Sequence, residues 1–247
     1  MRTKILTLGY LIGVPIRIDA TIILAIALVG GVTYGFFPGA WWTSPSMIVI
    51  LYFSLIAHEM AHVFVGKKIG LSCREVIISL TGTTAYFEGD ENHHEALLAS
   101  AGPILSLFFA IIFGVATAIS MELRHIHDLQ KDPITGLLGI GAIMNTGIFI
   151  FNLLPIYPMD GGRLLHALLL KLTKNHLQAI TISSGITVAI CLLLIGSGEI
   201  SLIIHNDSGG IVRVVVAIVL GGQAIGAYKA EVRKSKEIIE EKKSLLP

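Results

Sequence analysis

Long apolar stretches separated by short polar connections dominate this chain. Six of them stand out, at about residues 20–37, 46–65, 96–120, 135–155, 180–195 and 211–227. A helix needs roughly 20 mostly apolar residues to cross the hydrocarbon of a bilayer, so runs of this kind read as membrane spans rather than core helices. The first ends in Gly30, Gly31 and Gly35, and Phe36, Phe37, Trp41 and Trp42 follow as an aromatic belt of the kind found at a membrane surface. The third opens with the small residues of Ala99-Ser-Ala-Gly-Pro103, and the fourth is broken by Pro155 and Pro158. The fifth is the shortest. Between spans two and three, residues 73–89 alternate with period two and are rich in β-branched and aromatic side chains, which predicts two short strands around Gly82. Residues 5–18 read as an extended or re-entrant approach to the first span. Pro15, Arg17 and Asp19 interrupt the apolar run that a cleaved signal would need. Residues 229–247 form a charged tail, expected to be a solvated helix. The pattern predicts an all-α polytopic membrane protein of about six transmembrane helices, with a small β-hairpin between spans two and three. The transmembrane domain covers 1–228 and the tail 229–247.

Composition agrees. Hydrophobic residues make up 53% of the chain and charged residues only 14%, against about a quarter in soluble domains; the mean hydropathy is +0.78. A net charge of +1, without basic and aromatic residues interleaved, gives no sign of a nucleic-acid partner, and none is expected. Cys73 and Cys191 form no CxxC and read as small unpaired residues. With the N-terminus in the cytoplasm and six spans, fifteen of the 18 Lys and Arg residues fall on the cytoplasmic side, leaving only Arg124, Lys131 and Arg213 outside. Both termini are therefore expected in the cytoplasm of a cell that carries the protein in its plasma or inner membrane.

Into the cytoplasmic end of span two is set Ile-Ala-His58-Glu59-Met-Ala-His62. On a helix, positions i and i+4 share a face one turn apart, so two imidazoles there can hold one Zn²⁺, and Glu59 beside them can act as general base on a water at the metal. Ionisable residues inside a membrane span are costly and mark functional sites. A catalytic zinc takes a third protein ligand. The best candidate is Asp160, in the segment Asn152-Leu-Leu-Pro-Ile-Tyr-Pro-Met-Asp-Gly-Gly162 at the cytoplasmic end of span four, where two prolines stop regular helix and two glycines permit a tight bend. Taken alone, Asp-Gly-Gly after prolines is a common turn. His93, His94 and Glu95 point different ways on a helix and suit a solvated interfacial role. His125, His127 and His205 are expected on the far side of the membrane. His166 is expected to face the interface or to support Asp160, Arg163 to meet lipid phosphate or orient Asp160, and Asn145 to bond another helix.

These motifs together resemble the site-2 protease family of intramembrane zinc metalloproteases. His58–His62 matches its HExxH, 152–162 its Asn-Pro-Asp-Gly segment, and 99–103 its small-residue Ala-Gly-Pro stretch; the resemblance covers roughly residues 16–170. It implies zinc bound by His58, His62 and Asp160 below the cytoplasmic surface, with Glu59 activating water and Asn152 stabilising the oxyanion or positioning substrate. It further implies a single-span membrane protein as substrate, of the transcription-factor, anti-sigma-factor or sigma-factor-precursor type, cleaved in regulated intramembrane proteolysis. Relatives often carry CBS or PDZ domains, and this sequence reads as a minimal form without either. The hairpin at 73–89 is either a cytoplasmic surface element or an edge that pairs with an unwound substrate strand. Two other functions compete: a zinc transport or sensing protein, which would need polar residues through the membrane's full thickness, and a catalytically silent scaffold, which would lack Glu59 or a ligand.

Overall fold

The computed structural model describes residues 5–36, 42–79, 82–89, 94–125, 129, 132–205 and 209–244, as a succession of helices and strands. The chain divides into two compact units, residues 1–151 and 152–247.

The first unit begins with two strands, β1 (Ile5–Leu11) and β2 (Val14–Asp19), where the sequence predicts only an extended approach. They pair antiparallel across the two-residue turn Ile12-Gly13, both residues at positive φ, the geometry that matches the twist of a tight hairpin. Lys67 donates to the Ile12 carbonyl and ties that strained turn to the second helix. Helices α1 (Ile22–Phe36) and α2 (Thr43–Lys68) follow, then the predicted hairpin as β3 (Ser72–Ser79) and β4 (Gly82–Glu88). β2 and β3 pair in parallel, with the two helices as the crossover such a pair needs, so the four strands form one sheet in the order β1-β2-β3-β4. Met60 and Val63 of α2 bury against Val14 and Ile16 of β2 and Val76 and Ile78 of β3. Gly66 brings α2 so close to β4 that an added Cβ would lie 2.5 Å from the Phe87 ring. Helices α3 (Glu95–Arg124) and α4 (Pro133–Asn152) complete the unit, and Ile104, Phe108, Ile111 and Val115 of α3 stay exposed, as lipid-facing residues would.

The second unit holds α5 (Asp160–Thr173), α6 (His176–His205) and α7 (Gly209–Ser244). Asn175 caps α6 through Gln178 N–H at 3.1 Å, and Ile156 packs with Cys191, Ala217 and Leu220. The fifth apolar stretch is the core of a 30-residue helix, and the charged tail continues α7 through Ser244 without a break.

Five helices among the described residues have the length and hydropathy of membrane spans: 43–68, 95–124, 133–152, 176–200 and 213–230. With them the protein is a multi-pass membrane protein. α1 is helical where the first span is expected, but its 15 residues rise only about 22 Å, so the sixth span is not among these five.

Candidate metal centre

On α2, residues 54, 58 and 62 repeat at i+4 on a face distinct from the one that covers the sheet, and Ser54, His58 and His62 are all buried. His62 Nδ1–H donates to the Leu98 carbonyl of α3 at 2.7 Å, which fixes its tautomer and leaves the Nε2 lone pair outward. His58 Nδ1 lies 2.9 Å from Ser106 Oγ, also on α3. The two Nε2 atoms converge to 3.3 Å, with the rings at 72°. Tetrahedral zinc with Zn–N bonds of about 2.0–2.1 Å sets its imidazole nitrogens about 3.3–3.4 Å apart, so the pair fits zinc. Gly102 of α3 faces both rings, where an added Cβ would press on each Nε2 and lie 2.6 Å from His58 Cε1. The space beside the nitrogens exists because that residue has no side chain.

Glu59, next to His58, is held by the hairpin. Ala85 N–H donates to Glu59 Oε2 at 3.0 Å, and the Thr83 hydroxyl lies 3.5 Å from Oε1. One turn before His58, Asn145 of α4 donates to Ser54 Oγ at 2.9 Å, the interhelical role expected of it.

In the second unit, Asp160 is the first residue of α5, after a turn that contains a cis Tyr157–Pro158 bond, and it is 7% exposed. The segment is placed by backbone. A Cβ on Gly161 would strike the Leu153 and Leu154 carbonyls, and one on Gly162 the backbone of Ile156 and Tyr157. Tyr157 N–H is anchored on Thr187 Oγ1 of α6 at 2.8 Å. His166 does not face an interface: it is 2% exposed, its ring 5.9 Å from Tyr157 and 5.0 Å from His176. Arg163 stands in the first turn of α5, and half-buried Asn152 is the last residue of α4. His94 caps α3 exposed to solvent and His125 ends that helix in the left-handed conformation; His93 and His127 lie outside the described residues.

Sequence reasoning missed Ser106, the Leu98 carbonyl and the Thr83 and Ala85 contacts. Ser54 could have been found from its i+4 spacing to His58, and Gly102 lies in a stretch already singled out for its small residues.

A profile of peptidase family M50 matches residues 114–196. A zinc metalloprotease of Methanocaldococcus jannaschii is 27% identical over 192 residues, 78% of this chain and 53% of that protein. Rip3 of Mycobacterium tuberculosis, provisionally named a zinc metalloprotease, is 31% identical over 173 residues, 68% of this chain and 43% of Rip3. The chain thus spans about half the length of these relatives. The solved structure of the site-2 protease from Methanocaldococcus jannaschii is similar with a TM-score of 0.63 at 23% identity, over 90% of this chain and 94% of that one. The sequence motifs, the paired imidazoles and these matches agree: residues 114–196 carry a match to peptidase family M50, and the chain is similar in sequence to zinc metalloproteases and in fold to a site-2 protease.

Proposed function

We propose that this protein is an intramembrane zinc endopeptidase, which hydrolyses a peptide bond in or near a transmembrane helix of a membrane-anchored substrate. The observation that carries the reading is the convergence of His58 and His62 Nε2 beside Glu59 within a membrane-spanning helix. His58, His62 and Asp160 are each buried and each offers one ligand atom, the two-imidazole, one-carboxylate set of a catalytic zinc. A zinc ion held by these three residues would lower the pKa of a bound water to about 7 and would polarise a carbonyl. Glu59 takes the proton from the attacking water and passes it to the leaving amine. The Asn152 carboxamide donates to the developing oxyanion. Ser106 and the Leu98 carbonyl keep both imidazoles turned toward the metal.

A peptide bond in a regular helix is shielded by its own hydrogen bonds, so the substrate must unwind locally, and helix-breaking residues favour cleavage. The unwound strand pairs with the hairpin. The Lys and Arg distribution supports an active site opening to the cytoplasm, with both termini on that side. Substrates are single-span regulators of the transcription-factor, anti-sigma-factor or sigma-factor-precursor type. Transport is disfavoured because no second group of His, Cys, Asp or Glu among the described residues is arranged to continue a metal path. A silent scaffold is disfavoured because base and ligand types are all present.

Replacing Glu59 with Gln in the reconstituted protein should keep zinc bound and lower cleavage of a membrane-anchored substrate by about 10³-fold. Normal cleavage by that variant would remove Glu59 as the base.

A further inference from the structure

The strand that holds Glu59 is also the outermost strand of the sheet. β4 pairs with β3 on one side only, with Ala85 opposite Val76. Along an antiparallel strand, alternate residues turn their N–H and C=O toward the partner or away from it. Ala85 N–H points away, because it reaches Glu59 Oε2 on α2 at 3.0 Å. Thr83, two residues earlier, bonds α2 as well: its hydroxyl donates to the Leu55 carbonyl at 3.2 Å and lies 3.5 Å from Glu59 Oε1. An outward amide on an edge strand is the group that an added strand takes first. Two acceptors therefore compete for one donor, the Glu59 carboxylate and a carbonyl of an extended substrate.

We propose that the Ala85 amide is a latch on the general base. It ties Glu59 to β4 until a substrate strand pairs with that edge and takes the amide, which turns the carboxylate over to the attacking water. Ala85 is in this sense a positioning residue, and strand pairing and base release are one event. The inference rests on the protease reading above, since it assumes that Glu59 is the base and that substrate binds extended.

The test compares two variants that lack the general base. Glu59→Gln keeps an acceptor oxygen for Ala85 N–H, whereas Glu59→Ala removes it. The probe is a fluorescent synthetic peptide with one apolar span and a central Gly-Gly pair, in detergent micelles. Loss of one competing hydrogen bond should make Glu59→Ala bind the peptide about fivefold more tightly than Glu59→Gln. Adding Ala85→Pro to both should close that gap. Proline is tolerated where the N–H serves no ladder bond, and bound zinc reports that each variant is folded. Equal affinities of the two Glu59 variants overturn the latch, and so does a gap that survives Ala85→Pro. The protease reading fails on a different result, a zinc-loaded parent protein that leaves a membrane-anchored substrate uncut.

Discussion

The His pair on α2 and the aspartate at the start of α5 are positioned by different means. His58 and His62 sit on a regular helix and are aimed by single hydrogen bonds to Ser106 Oγ and the Leu98 carbonyl. Asp160 follows an irregular turn whose path is set by Pro155, Pro158 and two glycines pressed against backbone. Helical periodicity brings the two imidazoles together and needs only small corrections. The carboxylate has no periodic register to rely on, so steric walls fix it instead.

Substitutions that add one methyl group break this comparison most strongly. Gly161→Ala or Gly162→Ala places a Cβ against carbonyls that cannot rotate away, and should cost roughly 3 kcal/mol or more of stability. Thermal unfolding in detergent checks it, and an unchanged midpoint would mean the turn is not held by backbone contact. Gly102→Ala meets imidazole ring atoms, which can shift. The fold should survive, while zinc affinity, read by competition with a chelator, falls about 10–100-fold.

Ser106→Ala sharpens the comparison from the other side, because it removes one aiming hydrogen bond and no wall. Zinc affinity should drop about tenfold with little change in thermal stability. The smallest effect is expected at Asp132, just before α4. The hydroxyl and N–H of Thr135, with Arg124, hold its carboxyl below the usual carboxylate range. A carboxylate with a lowered folded pKa stabilises above its unfolded value near pH 4, and that share is lost as pH falls through the folded value. The unfolding midpoints of the parent and Asp132→Asn should differ slightly at neutral pH and converge in acid.

Local chemistry was legible in the sequence, and non-local backbone chemistry was not. The spacing of His58 and His62 and the alternation across residues 73–89 each depend on neighbours in the chain, and the helix and hairpin they predict are present. The parallel pairing of β2 with β3 joins strands separated by two helices, and no local pattern announces it. Ser106 is 48 residues from His58. Ala85 contributes only an amide that every residue but proline carries, so nothing in its identity marks it. Helix α5 is not among the elements the apolar pattern predicts, although Leu164, Leu165, Leu168 and Leu169 give it helical spacing. Of the two expectations for His166, the interfacial one does not hold, because the side chain is buried. Its ring contacts, Tyr157 and His176, lie outside the apolar runs that mark the spans.

The central claim is that residues from two separate segments grip one zinc ion. Metal analysis of the purified protein and of Asp160→Ala tests it most directly. The parent should carry about one zinc per chain and the variant almost none, with helix content unchanged by circular dichroism. A folded Asp160→Ala protein that still holds a full equivalent of zinc would contradict it.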